Sequence, residues 1–302
     1  MTVKHQLHPR NQHKRGYDFK ALCKTLPSLK PYVYLNKYQS KTIDFSDLQA
    51  VRTLNQALLA HFYQIDNWHI PQENLCPPIP GRVDYVHYIA DLLNSLNDSK
   101  NVRVLDIGTG ASCIYPLLGY RSYGWSFVAT DIDPKSISNA QSILTKNKIA
   151  ENQIECRLQS APSKIFDGIV KPDETFDLTM CNPPFHQSLA KAMQGNSQKW
   201  ANLNKAKGNI STGKETKAAL NFGGQEAELW CQGGERTFVR NMIKESRKYG
   251  HQVTWFTCLI SQKDNVSPLK LALKKQNVTQ SKVVKMAQGQ KVSRFIAWSF
   301  QA

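Results

Sequence analysis

Val104-Leu105-Asp106-Ile107-Gly108-Thr109-Gly110-Ala111-Ser112 is the stretch that decides the fold. The apolar run from Val102 to Ile107 reads as a strand, and two glycines then break it into a tight turn that opens a helix. In open α/β sheets, ligands bind at the carboxyl ends of strands where the chain switches direction. Glycine there lets the backbone approach a ligand without a Cβ clash. The pattern is D-x-G-x-G, not G-x-G-x-x-G, and no Lys-Ser/Thr follows as in a P-loop. A carboxylate at Asp106 repels a pyrophosphate. It suits a ligand with an ammonium group, such as the methionine part of S-adenosylmethionine. The same residues also read as a plain βα turn with an acidic cap.

Two later motifs strengthen the ligand reading. Phe127-Val128-Ala129-Thr130-Asp131-Ile132-Asp133 is a strand ending in acids, and Asp131 lies 25 residues past Asp106. An acid at the end of the second strand can accept both hydroxyls of a ribose. Asp131 takes that role because it follows the apolar run directly, and Asp133 reads as the N-cap of a helix beginning at Pro134. Farther on, Leu178-Thr179-Met180-Cys181 is a strand that ends in Asn182-Pro183-Pro184-Phe185. Two prolines fix the backbone and remove two N–H donors, which leaves acceptors: the Asn182 side-chain oxygen and the Pro183 carbonyl. Two acceptors on the N–H groups of a planar exocyclic amine pull its nitrogen toward tetrahedral geometry and aim the lone pair at a sulfonium methyl. Phe185 can stack on a flipped base. The expected catalytic set is therefore Asn182, Pro183, Pro184 and Phe185. The expected cofactor set is Asp106, Gly108, Gly110, Ser112, Asp131 and Asn182.

Outward from these motifs, short strands alternate with helices. Strands are expected at 102–107, 125–130, 154–158, 175–181 and 251–260, and helices from the glycine turn to near Gly119, at 134–146, 235–248 and 269–276. That alternation predicts a mostly parallel, doubly wound sheet. Segments 282–287 and 293–300 predict a closing antiparallel hairpin around Gly289. Upstream, apolar residues at helical spacing predict a helix over 44–65, capped by Asp44 or Ser46. Pro71, Pro77, Pro78 and Pro80 predict an extended linker, and 82–96 predicts a second amphipathic helix. Residues 191–225, rich in Lys, Gly and Asn, are expected to form a loop.

Composition bounds the rest. The chain has 302 residues, 41% of them hydrophobic, with a net charge of +16. That charge implies a polyanionic partner, since neutralising phosphates releases counterions. Residues 1–41 hold nine Lys/Arg against one acid, a net +8, with Tyr17, Phe19, Tyr32, Tyr34 and Tyr38 interleaved. Basic side chains with stacking rings suit single-stranded nucleic acid, although a solvated basic tail has the same composition. Residues 1–40 are expected to be a loosely structured arm. The expected division is a basic RNA-binding extension over 1–80 and a Rossmann-like domain over 81–302. No apolar run nears the ~18 residues that span a bilayer, and the N-terminus lacks a signal-peptide apolar core, so a cytoplasmic protein with no membrane partner is expected. Seven scattered cysteines show neither a C-x-x-C pair nor zinc spacing, so reduced thiols and no metal are expected.

These motifs resemble the amino-group methyltransferases of Rossmann type. Over nearly the whole chain the sequence resembles the bacterial large-subunit 23S rRNA adenine-N6 methyltransferase F family, related to methyltransferase-like RNA adenine methylases. The resemblance is carried by Pro77–Tyr85, the run Asp106–Gly119, Gly233-Gly234-Glu235 and Arg294–Phe300. It implies a class I S-adenosyl-L-methionine-dependent enzyme that methylates the N6 amino group of one adenine in 23S rRNA, naked or in a subunit precursor. It implies that Arg82 faces the methionine carboxylate, that Gly108 and Asp131 touch the cofactor, and that Asn182 touches cofactor and amine. Many relatives carry an acid after the third strand for the cofactor adenine. Here the stretch is Leu158-Gln159-Ser160-Ala161-Pro162, so that contact has no assigned residue. A guanine-N2 rRNA methyltransferase, a protein-glutamine methyltransferase and a non-catalytic RNA-binding assembly factor are the alternatives. Tyr in place of Phe185 would favour the glutamine enzyme, and intact Asp106, Asp131 and Asn182 argue against the assembly factor.

Overall fold

The computed structural model describes residues 7–94, 101–184, 231, 233–288 and 291–301. A short hairpin, β1 (Tyr34–Leu35) with β2 (Lys41–Thr42), precedes the main sheet. That sheet is built from β3 (Arg103–Ile107), β4 (Ser126–Asp131), β5 (Ile154–Leu158), β6 (Phe176–Cys181), β7 (Val253–Ile260), β8 (Gln280–Gln288) and β9 (Lys291–Ser299). The strand order is β5-β4-β3-β6-β7-β9-β8. β3 to β7 pair in parallel, and β9 pairs antiparallel with both β7 and β8. This is the doubly wound sheet with an antiparallel C-terminal hairpin that the sequence predicts.

Strand alternation sorts the side chains into two cores, because successive residues face opposite sides of a sheet. Val104, Phe127, Trp255 and Phe295 pack on one side; their neighbours Leu105, Val128, Phe256 and Ile296 pack on the other. The first side is covered by α1 (Phe19–Thr25), α2 (Leu48–Tyr63), α3 (Ile79–Asn94), α4 (Ile114–Tyr123) and α5 (Pro134–Lys146). The second is covered by α6 (Gly234–Ser246) and α7 (Val266–Lys275). Asp133 caps α5 as expected, accepting from the backbone of Lys135 and Ser136. Among the described residues, no helix is long and apolar enough to cross a membrane.

Three local expectations are corrected. The cap of α2 is Asp47, which accepts from Gln49 and Ala50; Asp44 instead accepts from the backbone and hydroxyl of Ser46 one turn earlier. Helix α4 does not stop near Gly119 but runs to Tyr123. Gly119 sits inside it because a Cβ there would lie 2.4 Å from the Phe127 ring, so the glycine lets the helix press onto β4. The residues from 7 to 40 are not a loose arm. Phe19, Leu22 and Leu29 are buried in the same core as the sheet. Asn11, fully buried, donates to the Pro80 carbonyl at 2.9 Å, and Arg10 donates to the His87 carbonyl at 2.9 Å. The high charge of this segment hides a regular apolar spacing that needs α2 to pack against. The position between residues 80 and 81 falls within the first turn of α3.

Leu29→Ala should therefore destabilise the chain by about 2–5 kcal/mol in chemical denaturation, as core truncations do. A solvated tail would show no change.

Candidate active site

The site begins with strand register. Ile107 lies level with Thr130 on β4 and with Cys181 on β6. Gly108, Asp131 and Asn182 therefore emerge at one edge, next to the point between β3 and β6 where the strand order reverses. Gly108 adopts φ +71°, a left-handed conformation that glycine enters without penalty. The turn is tied down by its neighbours. Thr109 N donates to the Thr130 carbonyl at 2.8 Å, and the Thr130 hydroxyl donates to the Asp106 carbonyl at 3.0 Å. Gly110 N and Asp133 N donate to the Asp131 carboxylate at 2.8 and 3.0 Å.

A cavity of about 230 Å³ opens on this edge. Arg82, Gly108, Gly110, Ser112 and Asp131 line it, as do Asn182, Pro183 and Pro184. Asp106 lies behind this wall, fully buried. The structure thus gathers the sequence-predicted set around one space, apart from Asp106 behind its wall and Phe185. Phe185, His186 and the stretch 191–225 lie outside the described residues.

The polar groups here are unusual. Buried polar atoms are nearly always hydrogen-bonded. Among the described residues, Arg82 Nε and Asn182 Oδ1 at this site have no such partner, while the Thr109 hydroxyl donates to the buried Asp106 carboxylate. Burial pushes the Asp106 carboxyl up to about 7; the Thr109 hydroxyl opposes the rise, the Asp131 charge adds to it, and the Arg82 charge opposes it. Arg82 is aimed by Tyr115. Its Nη1 donates to the Tyr115 hydroxyl at 2.6 Å, and the guanidinium carbon lies 5.4 Å from the ring centre. Arg82 on the cavity wall and the Asp106 carboxylate just behind it complement an amino-acid zwitterion, so the residues fit S-adenosylmethionine. Gln159 also faces the cavity, but its amide accepts from Ala161 N and donates to the Asp167 carbonyl.

Sequence reasoning missed one wall. The segment expected to be a simple extended linker folds over the glycine turn, and Leu75 and Pro77 line the cavity. One face of α2 holds it there. Arg52 donates to the carbonyls of Ile70, Pro71, Gln72 and Asn74; Asn55 donates to the Pro77 carbonyl and Gln56 to that of Trp68. From the other side Trp68 Nε1 donates to the Ser112 carbonyl at 2.9 Å, and Asn139 joins the carbonyls of His69 and Ala111. The i, i+3, i+4 spacing of Arg52, Asn55 and Gln56 was visible. Their carbonyl partners were not. Glu235, quoted in the resemblance, proves to be a structural latch: buried, it accepts from Ser261 N at 2.7 Å and Asn265 Nδ2 at 2.7 Å.

Fold and site together define a Rossmann-like S-adenosylmethionine-dependent methyltransferase. A family model described as RNA methyltransferase matches residues 1–302. Ribosomal RNA large subunit methyltransferase F of Desulfotalea psychrophila is 55% identical, covering 97% of this chain and 94% of its own. The protein of that name from Psychromonas ingrahamii is 53% identical, covering 99% and 96%. The chain belongs to the ribosomal RNA large subunit methyltransferase F family. Among solved structures it is similar to the hMettl16 catalytic domain in complex with MAT2A 3'UTR hairpin 6, with TM-score 0.80, 30% identity and 98% of both chains covered. It is also similar to the N-terminal domain of human METTL16 in complex with SAH, with TM-score 0.75, 28% identity and 98% and 99% covered.

Arg52→Ala should lower stability by about 1.5–3 kcal/mol, as loss of charged hydrogen bonds does. It should also weaken S-adenosylhomocysteine binding in calorimetry. Unchanged affinity would mean that the α2-held wall does not shape the pocket.

Proposed function

We propose that this chain transfers the methyl group of S-adenosyl-L-methionine to the N6 amino group of one adenine in 23S ribosomal RNA, in the cytoplasm and without a metal. The observation that carries the reading is Asn182: a buried, unpaired side-chain oxygen on the cavity wall, followed by two prolines. The relatives named for large-subunit rRNA methylation and the RNA-bound hMettl16 domain support the RNA substrate.

Each residue has a task. Asp106, behind the wall, supplies the negative charge that attracts the methionine ammonium, and Arg82, steered by Tyr115, meets the carboxylate. Asp131, held by two backbone N–H groups on the cavity wall, meets the ribose hydroxyls. Gly108, Gly110 and Ser112 shape the floor. Ile132, Pro162 and Ile165, all on the cavity, give the cofactor adenine an apolar slot. Bound there, S-adenosylmethionine supplies an electrophilic methyl group. Asn182 Oδ1 and the Pro183 carbonyl accept the two N–H groups of the target amine and turn its lone pair toward the methyl. Pro184 stiffens that segment, and Phe185 stacks on the extruded base. The amine loses its proton to water after attack, so no general base is needed. Residues 1–80 act as the RNA-binding extension and 81–302 as the transfer domain.

Mass spectrometry of nucleosides tests the reading directly. Large-subunit rRNA from cells lacking the protein should lose one N6-methyladenosine. Re-expression of the parent chain should restore it, and re-expression of Asn182→Ala should not. In vitro, Asn182→Ala should lower turnover far more than cofactor affinity, because the amine contact tightens in the transition state. Near-normal turnover would remove the proposed amine clamp.

The raised Asp106 carboxyl makes a second prediction. Below about 7 the group is protonated in the free chain, whereas an ammonium ligand favours the carboxylate. Binding then releases a proton, and affinity should rise with pH up to about 7. It should fall again above roughly 8, where an α-amino group loses its charge. Calorimetry in buffers of different ionisation enthalpy measures the proton count. A flat profile across that window would separate Asp106 from the ammonium.

A further inference from the structure

We propose that the groove between α1 and the N-terminal hairpin binds an unpaired segment of the RNA substrate, with lysines on its phosphates and Tyr34 and Tyr38 on its bases. The proposal rests on the RNA reading above and locates where, beyond the methyl-transfer cavity, the chain grips its substrate.

The groove encloses about 710 Å³ and is lined by Lys20, Lys24, Lys30 and Lys41 with a single carboxylate, Asp18. Asp18 is already committed, because it caps α1 by accepting from the backbone of Lys20 and Ala21. Among the described residues, none of the four lysines lies within 4.0 Å of a carboxylate oxygen. Lys20 and Lys24 stand one helical turn apart on one face, where like charges repel. A phosphate between such groups relieves that repulsion and releases counterions.

The rings stand on the hairpin that supplies Lys41, which pairs across the strands with Leu35, the neighbour of Tyr34. Seven large apolar side chains are strongly exposed among the described residues, and four of them, Tyr34, Leu35, Tyr38 and Phe45, fall within twelve positions of one another. Tyr34 is 51% exposed and Tyr38 75%. The other aromatics of this segment are not available: Phe19 is buried, and Tyr17 and Tyr32 pack against the core. The hairpin turn is held rigid, since the Asn36 side chain accepts from Tyr38 N at 2.9 Å and Ser40 N at 3.1 Å. Lys37 sits 5.1 Å from the Tyr38 ring centre. Protein-binding patches are depleted in lysine, whereas single-stranded nucleic-acid sites combine a positive groove with open rings. The charge therefore selects RNA over a protein partner.

The test uses the full chain, a fluorescein-labelled RNA fragment without secondary structure, and anisotropy over a series of salt concentrations. One variant combines Lys20→Gln, Lys24→Gln, Lys30→Gln and Lys41→Gln. A second combines Tyr34→Ala with Tyr38→Ala, and a third Tyr34→Phe with Tyr38→Phe. The lysine variant should flatten the plot of log affinity against log salt by about 0.7 per lost phosphate contact. The alanine variant should lose affinity by roughly tenfold or more, and the phenylalanine variant should retain it, because stacking needs the ring and not the hydroxyl. S-adenosylhomocysteine binding should be unchanged in all three, which also confirms folding. Variants that keep the parent's affinity and salt slope would overturn the groove and leave the RNA reading standing. A parent chain that binds no RNA would overturn both. Loss of a ribonuclease-resistant protein contact in the tyrosine variants, with RNA affinity intact, would overturn the proposal in favour of a protein partner.

Discussion

The parallel register of β3 with β4 and β6 is the constraint on which the rest depends. It sets Ile107 level with Thr130 and Cys181, so three segments that are distant in the chain end on one line. A one-residue slip would turn every side chain of a strand to the other face. Two opposite cores, one holding Val104 and the other Leu105, make such a slip costly. The register is therefore fixed by packing, and the site inherits its precision from the sheet.

That edge carries an energetic debt. A fully buried carboxylate costs stability, and the cost appears as the elevated Asp106 proton affinity. The orphaned Arg82 and Asn182 atoms add to it. Folds keep few unsatisfied buried groups, and their concentration around one cavity marks the place where a ligand completes the hydrogen bonding. The surroundings are the opposite. Glu235 and Glu245 are fully engaged, Glu245 by three successive backbone N–H groups from Ile165 to Asp167. Elements around the site are locked while the site itself is left open.

The N-terminal region belongs to that locked frame. α2 grips the segment that closes the cofactor cavity, while α1 and the hairpin carry the basic groove. Because α1 packs on α2, the groove rests on the same helix that shapes the cavity wall. Groove and cavity share a scaffold, and a change in α2 reaches both.

Much of this was legible in the sequence because it is local. Asp106–Ser112, Asp131 and Asn182-Pro183-Pro184 declare themselves by residue type and by position at strand ends, and Asp133-Pro134 announces a helix start. Alternating strands and helices set the doubly wound class, and the resemblance set the family. What the sequence alone could not determine depends on distant partners. Leu75 and Pro77 join the site only because Arg52, Asn55 and Gln56 bind backbone carbonyls, which carry no residue signature. Leu22 and Leu29 lie in a stretch dominated by lysine, and their burial needs a core that the segment does not itself contain. Gly119 reads as a helix end until Phe127 is seen against it. Of five flanking aromatics, only packing separates the exposed Tyr34 and Tyr38 from the buried Phe19. Local chemistry fixed which groups can react, and tertiary packing decided which groups meet.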